Sequence, residues 1–331
     1  MRFRKLLGRL PVVHQFRQSV GLQRGMLVTG LVITGALALT AIFAPLLAPY
    51  GYNQLTGDDG VTFGSQQEPG GEHLWGTTVG GYDVLSRVIW GSRTAFFVIV
   101  VAVTLSIFVG VLLGLISGYI GGWIDRVLVV IADAVYAFPT LLLAIVAAIV
   151  ISKGQSDLVG GVFAAAISIT VVFIPQYFRV IRAEAVRVKA EAFVESAKVV
   201  GASTPRVMFR HVFRNSTRTL PLIFTLNSSE AILTLAALGF LGFGIEPTSA
   251  AEWGYDLNRS ISDVTSGIWW TSIFPGSAIV LIVLGITLIG ESLNDLADPR
   301  LRARRRAADA TPADAVAATE PVSREELGEV R

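Results

Sequence analysis

Residue types that carry covalent chemistry are scarce in this 331-residue chain. It has no cysteine, which excludes disulfides, thiolate metal sites and cysteine nucleophiles. The three histidines, His14, His73 and His211, lie outside the long apolar stretches, and no Ser/His/Asp arrangement accompanies them. No Gly-x-x-x-x-Gly-Lys-[Ser/Thr] run is present, so the chain lacks the usual loop that cradles ATP phosphates. Energy for any work it does must then come from a partner or an ion gradient. Two sets of residues remain. Asp133 and Glu230 stand inside apolar stretches, where an unpaired charge costs roughly 2.5–3.5 kcal/mol. Either a structural partner across a helix interface or a polar wall of a translocation path would solvate them. Neither forms a proton relay by itself, because no His, Lys or second acid follows at helical spacing. The second set, Glu195-Ser196-Ala197 followed by Gly201-Ala202, lies in a long basic stretch.

The elements that hold these residues are membrane helices. Apolar residues make up 52% of the chain and charged residues 16%, against about a quarter charged in a soluble domain. A bilayer core needs about twenty apolar residues per helix. Six stretches meet that length, near Met26 to Leu47, Ala95 to Tyr119, Val127 to Ile151, Val159 to Phe178, Leu220 to Phe243 and Ile273 to Leu293. The first is too long for a cleaved signal core and reads as a retained anchor, ended by Pro45 and Pro49. Gly110, Gly114 and Gly118 recur every fourth residue and predict a close helix approach in the second span. Pro139 and Pro175 predict bends in the third and fourth spans.

Basic residues fix the orientation. With the N-terminus inside, all but four of the 27 Lys and Arg residues face the cytoplasm, the exceptions being Arg87, Arg93, Lys153 and Arg259. Both termini are therefore expected to be cytoplasmic. The expected organisation is a leader over 1–25, a six-span body over 26–302 and a disordered tail over 303–331, poor in aliphatic residues. The body carries outer loops at 50–94 and 244–271 and an inner segment at 179–219. Trp253 and Tyr255, in the second outer loop, are candidates for contact with a delivery protein or with lipid headgroups.

The inner segment predicts a helix containing Ala192, Glu195 and Val199 on one face, stopped at Gly201 by a left-handed cap. A second helix then starts at Ser203 or Thr204, with Pro205 in its first turn. Such a pair of short helices with small residues on one ridge suits docking into a partner's groove.

Here the sequence resembles a known family. Glu195-Ser196-Ala197-x3-Gly201 is similar to the EAA-x3-G signature of ABC importer membrane subunits, with Ser196 in place of the usual alanine. Further matches are to C-type subunits of the dipeptide, oligopeptide and nickel permease family. They include His73-Leu74-Trp75-Gly76-Thr77, the stretch from Gly81 to Arg93, Leu238 to Gly244, Glu252-Trp253-Gly254, Phe274-Pro275-Gly276 and Asp298-Pro299-Arg300. Tyr82 and Ser92 depart from the family pattern, and Val212-Phe213-Arg214 replaces its aliphatic-Leu-Pro ending. The resemblance runs from about Arg24 to Arg302.

That resemblance implies an all-α, six-helix permease of the type I importer kind, residing in the plasma (inner) membrane. It implies partners: a second homologous permease, two cytoplasmic ABC ATPase subunits or domains, and an extracytoplasmic solute-binding protein. Cofactor ATP and Mg would belong to the ATPases, and the chain itself would hold no cofactor or metal, bind no nucleic acid and catalyse no reaction. Glu195, Ser196, Ala197, Gly201 and Ala202 would form the ATPase-docking segment. The residues taken without the resemblance leave two other classes open, an ion-coupled secondary transporter and a non-transporting membrane scaffold.

Overall fold

In the computed structural model, residues 22–152 and 158–297 are described. The expected leader, the tail and the Asp298-Pro299-Arg300 motif fall outside them, apart from the leader's last residues. The regular elements of the described chain are all helices, with isolated bridges in the loop before Val84. Helix α1 spans Leu22–Ile42 and is followed by a short α2, Ala44–Leu47, which starts with Pro45 in its first turn. Helix α3 is Val84–Ile120, α4 is Gly122–Tyr136, α5 is Thr140–Ser152 and α6 is Leu158–Lys189. A hairpin of short helices follows: α7, Ala192–Val199, and α8, Thr204–Arg206, which continues through a π-helical turn, Val207–Val212, into α9, Phe213–Ser216. The chain then forms α10, Leu220–Phe240, the small α11, Trp253–Arg259, and α12, Ile261–Thr265, and last α13, Trp270–Ala297.

Five of these helices are long and apolar enough to cross a membrane, and α4 with α5 makes a sixth crossing if the bent pair is one span. The pair departs from the expected third span. Its halves meet at 97°, because Pro139 lacks the N–H that would carry the ladder past Phe138. Pro175, by contrast, lies inside an α6 that stays helical through it. Two spans outgrow their apolar stretches. Helix α3 starts eleven residues before Ala95, where Asp83 caps it by accepting from the Ser86 N–H at 2.8 Å. Helix α6 runs past Phe178 to Lys189, so the first part of the expected inner segment is a continuation of the span.

The glycine stripe of α3 faces α6, which runs parallel to it. A Cβ at Gly110 would lie 2.5 Å from the Tyr177 Cβ, and one at Gly114 would lie 2.6 Å from the Phe178 carbonyl oxygen. At Gly118 it would lie 2.6 Å from the Arg182 carbonyl oxygen. The two backbones touch at three points over about two turns, which no larger residue permits. A second close approach joins α1 to α13, where a Cβ at Gly30 would come 2.7 Å from the Gly285 carbonyl oxygen. Gln23 donates to the Ser292 carbonyl at 3.0 Å, so α1 begins and α13 ends at the same face of the bundle.

The main core is shared by α3, α6, α10 and α13, with Val98, Ala102, Ile169, Phe173, Ile232, Leu238 and Ile282 buried at its centre. A second core lies at the hairpin end, where Val111, Leu115 and Tyr119 of α3 and Ile181, Ala185 and Val188 of α6 receive Val194, Val207, Met208 and Val212. The short helices are thus packed onto the ends of the two touching helices. Replacing Gly114 by Val should separate α3 from α6 and abolish a monodisperse peak in gentle detergent. Gly35→Ala, with nothing within 4 Å of the added carbon, should leave that peak intact.

Candidate functional site

The hairpin Ala192–Ser216 sits on the second core and keeps part of its surface exposed. Val194 is fully buried and anchors α7 against Val207 and Val212. Helix α7 ends in a Schellman arrangement: Gly201 N–H donates to the Lys198 carbonyl at 2.9 Å, and Ala202 N–H to the Ala197 carbonyl at 3.0 Å. Gly201 has φ +84°, a left-handed conformation that glycine adopts without strain. Ala197 and Ala202 pack together on the core below. Ser196 Oγ bonds back to the Ala192 carbonyl at 3.0 Å, which removes the hydroxyl as an orphan donor. Glu195 is exposed, as are Ser196 and Gly201. Beside them stand Val199 at 84% exposure and Val200 at 87%, with Phe193 and Phe209 about half exposed. Small residues with two bare valines at a helix end make a knob without a pocket of its own. The sequence reading singled out Val199 but missed Val200, although paired valines directly before a capping glycine carry the signal.

Two ion pairs join α4 to α6 near the hairpin end. Asp125 takes a bidentate pair from Arg182, at 2.5 Å from Nε and 2.7 Å from Nη2, and also accepts from Ser117 on α3. Three helices are tied at that point. Asp133 accepts from Arg179 Nη2 alone, at 2.6 Å, and the guanidinium lies 4.3 Å from the Tyr136 ring centroid. The Arg182–Asp125 pair did not stand out in the sequence, because Asp125 precedes the apolar run and Arg182 belongs to a string of basic residues. Glu230 is half-buried on α10, makes no ion pair among the described residues, and lies next to Ser229, which meets Thr287 of α13 at 3.2 Å.

Comparison with known proteins identifies the family. Residues 110–303 match the family model of the binding-protein-dependent transport system inner membrane component, and residues 22–69 match the N-terminal transmembrane domain of oligopeptide transport permease C. The chain belongs to this family of peptide transport permeases. It is 36% identical to the dipeptide transport system permease protein DppC of Alkalihalophilus pseudofirmus, over 83% of this chain and 86% of the relative. It is 33% identical to a putative peptide transport system permease protein of Brucella suis, over 89% and 94% of the two chains. A glutathione transport system permease protein of Shigella flexneri is 33% identical, over 87% and 91%. The chain is a non-catalytic, multi-pass membrane permease subunit of a peptide-family ABC importer.

At the opposite end, the permease carries a folded cap built from residues 50–83 and 241–269. Trp253 is only 3% exposed: its ring covers Gly91, and its Nε1 donates to the Val88 carbonyl at 3.1 Å. No face of it is left for a partner, so of the two aromatic candidates here only the half-buried Tyr255 offers a surface. Arg87 is buried and donates from Nε to Asp256 at 2.7 Å and from Nη1 to the Tyr52 carbonyl at 3.0 Å, joining both halves of the cap. His73 meets Asp83 at 2.9 Å, and Trp270 donates to the Thr77 carbonyl at 3.2 Å. Glu252 caps α11 through both oxygens, which accept from the Gly254 and Tyr255 N–H groups at 2.7 Å each.

Burial pushes the Glu252 carboxyl up to about 8, against the pull of the two N–H donors and of Arg87, with Asp256 adding to the rise. The folded permease therefore holds this proton more tightly than the unfolded chain. The stability Glu252 contributes is complete below its ordinary value and is lost as pH rises through about 8. Thermal melts in detergent should show Tm falling between pH 6 and pH 8.5, with a flatter dependence in Glu252→Gln. An unchanged slope in that variant would assign the dependence to other groups.

Proposed function

We propose that this permease forms half of the translocation pathway of an ATP-driven importer for dipeptides or oligopeptides. Its partners are a second, homologous permease, two cytoplasmic ABC ATPase subunits or domains that bring ATP and Mg, and an extracytoplasmic solute-binding protein. The single observation that carries the coupling role is the hairpin itself. Glu195, Ser196, Ala197, Gly201 and Ala202 lie on a knob that is packed directly onto the ends of α3 and α6 and leaves Glu195, Ser196 and Gly201 exposed. A groove in an ATPase that closes on this knob would move both helices together, because their backbones are in contact. Closure of the ATPase dimer would then bias the bundle between inward-facing and outward-facing states, as a ligand with differential affinity must.

The distribution of basic residues supports an orientation with the hairpin and both termini in the cytoplasm and the cap outside, in the plasma (inner) membrane. Tyr255 on the cap is then presented to the solute-binding protein. A peptide cargo is supported by the dipeptide, peptide and glutathione systems of the relatives.

Gentle extraction of the tagged chain should recover a second permease and Walker-type ATPases, and reconstituted complex with binding protein should import peptide only with ATP. Gly201→Pro cannot adopt φ +84°, and Glu195→Arg reverses the one charge on the knob's small-residue ridge. Both should insert normally yet lose ATPase subunits on purification. Normal complex yield and transport-coupled hydrolysis in these variants would reject the docking role. Recovery of the chain alone, with uptake driven by an ion gradient, would instead make it a secondary transporter.

A further inference from the structure

The two α4–α6 ion pairs lie on the same pair of helices and are built differently. Arg182–Asp125 is bidentate, is shared with Ser117, and its Asp125 side chain is 20% exposed. Arg179–Asp133, one turn back along α6, has a single hydrogen bond, and its side chains are 45% and 54% exposed. The remaining guanidinium N–H groups find no hydrogen-bond acceptor among the described residues and lie over the Tyr136 ring. Asp133 is eleven residues into α4, roughly 16 Å along it by helical rise. Carbon-rich side chains close to Asp133 in sequence are exposed as well: Val130 is 67% exposed, Tyr136 49% and Phe138 62%.

An ion pair half open among exposed apolar side chains cannot face hydrocarbon cheaply, because each charged group costs several kcal/mol there. It can face water in a polar path. A structural strut would instead be closed and bidentate, as its neighbour is. From this contrast, and resting on the importer reading above, we propose that Arg179 and Asp133 contact the solute in transit, as an exchangeable pair for a zwitterionic peptide. The peptide carboxylate displaces Asp133 from Arg179, and the peptide ammonium takes the freed Asp133 carboxylate. Tyr136 keeps its ring face on the Arg179 guanidinium throughout. The exchange replaces one ion pair by two, so charge stays balanced throughout and no proton moves.

The absence of cysteine makes the test direct, since one introduced thiol is the only one in this subunit. In the assembled transporter in proteoliposomes, Tyr136→Cys keeps both charges and should react with a membrane-impermeant methanethiosulfonate reagent supplied on both faces. A saturating free dipeptide should slow that reaction, and the same dipeptide with acetylated and amidated ends should not. Absence of reaction would mean that the face meets lipid, and equal slowing by both peptides would mean steric cover without charge recognition. Either result overturns the proposal, as does labelling unaffected by peptide, the outcome expected if phospholipid headgroups occupy the pair.

Arg179→Gln should raise KM for the free dipeptide by on the order of tenfold relative to the blocked one, the loss of one charge-assisted contact. An equal KM for free and blocked dipeptide in Arg179→Gln would reduce the pair to a strut and also overturn the proposal. ATP-dependent import by the wild-type complex, measured alongside, separates a failure here from a failure of the importer reading.

Discussion

Backbone contact between α3 and α6 is the constraint on which the other features rest. Three glycines at fourfold spacing bring the two helices so close that a single methyl group would overlap a carbonyl oxygen. Only at this separation can Ser117 of α3 and Arg182 of α6 reach the same carboxylate on α4. Only at this separation do Val111, Leu115 and Ile181 form one surface for Val194 and Val207. The seam is thus the foundation both for the hairpin and for the bent helix pair, although it binds nothing itself.

The two ends of the permease solve opposite problems. The hairpin end leaves apolar side chains bare on a short, well-anchored helix, which suits a surface that must be gripped. The cap end hides its aromatics and charges: Arg87 and Asp256 are buried and paired with each other across 169 residues of chain, and Glu252 is buried as the cap of α11. Buried charge of this sort contributes geometry more than stability, since desolvation cancels much of the attraction. Arg87 links Tyr52 to Asp256 and so sets the position of one loop against another.

Much of this was legible from the residues. Apolar length located five crossings and the bent pair, the glycine stripe located the seam, and Gly201 after a helix-forming run located the hairpin turn. Other features were not legible, for physical reasons that differ. Helix α3 extends outward because Asp83 caps it, and a polar first turn conceals that extension from any hydropathy count. Pro139 and Pro175 look alike in sequence, yet one breaks the helix and the other does not. The difference rests on what packs around each, and Pro175 has α3 pressed against its neighbour Ile174. Trp253 resembles an interfacial aromatic, but only the fold reveals that Gly91 leaves space for its ring. The ion pairs at Asp125 and Asp133 needed the third dimension, because their arginines are 57 and 46 residues away.

The 97° bend has a consequence for how the chain enters the membrane. Helix α4 has 15 residues and α5 has 13, so each is only about 20 Å long, against a hydrocarbon thickness of about 30 Å. Neither half can be held by the bilayer as an independent crossing, and Asp133 makes the first half less soluble in lipid still. Their stabilising counterparts, Arg179 and Arg182, emerge from the ribosome later, at the far end of α6. The bent pair therefore depends for its charge pairing on a helix that is translated after it.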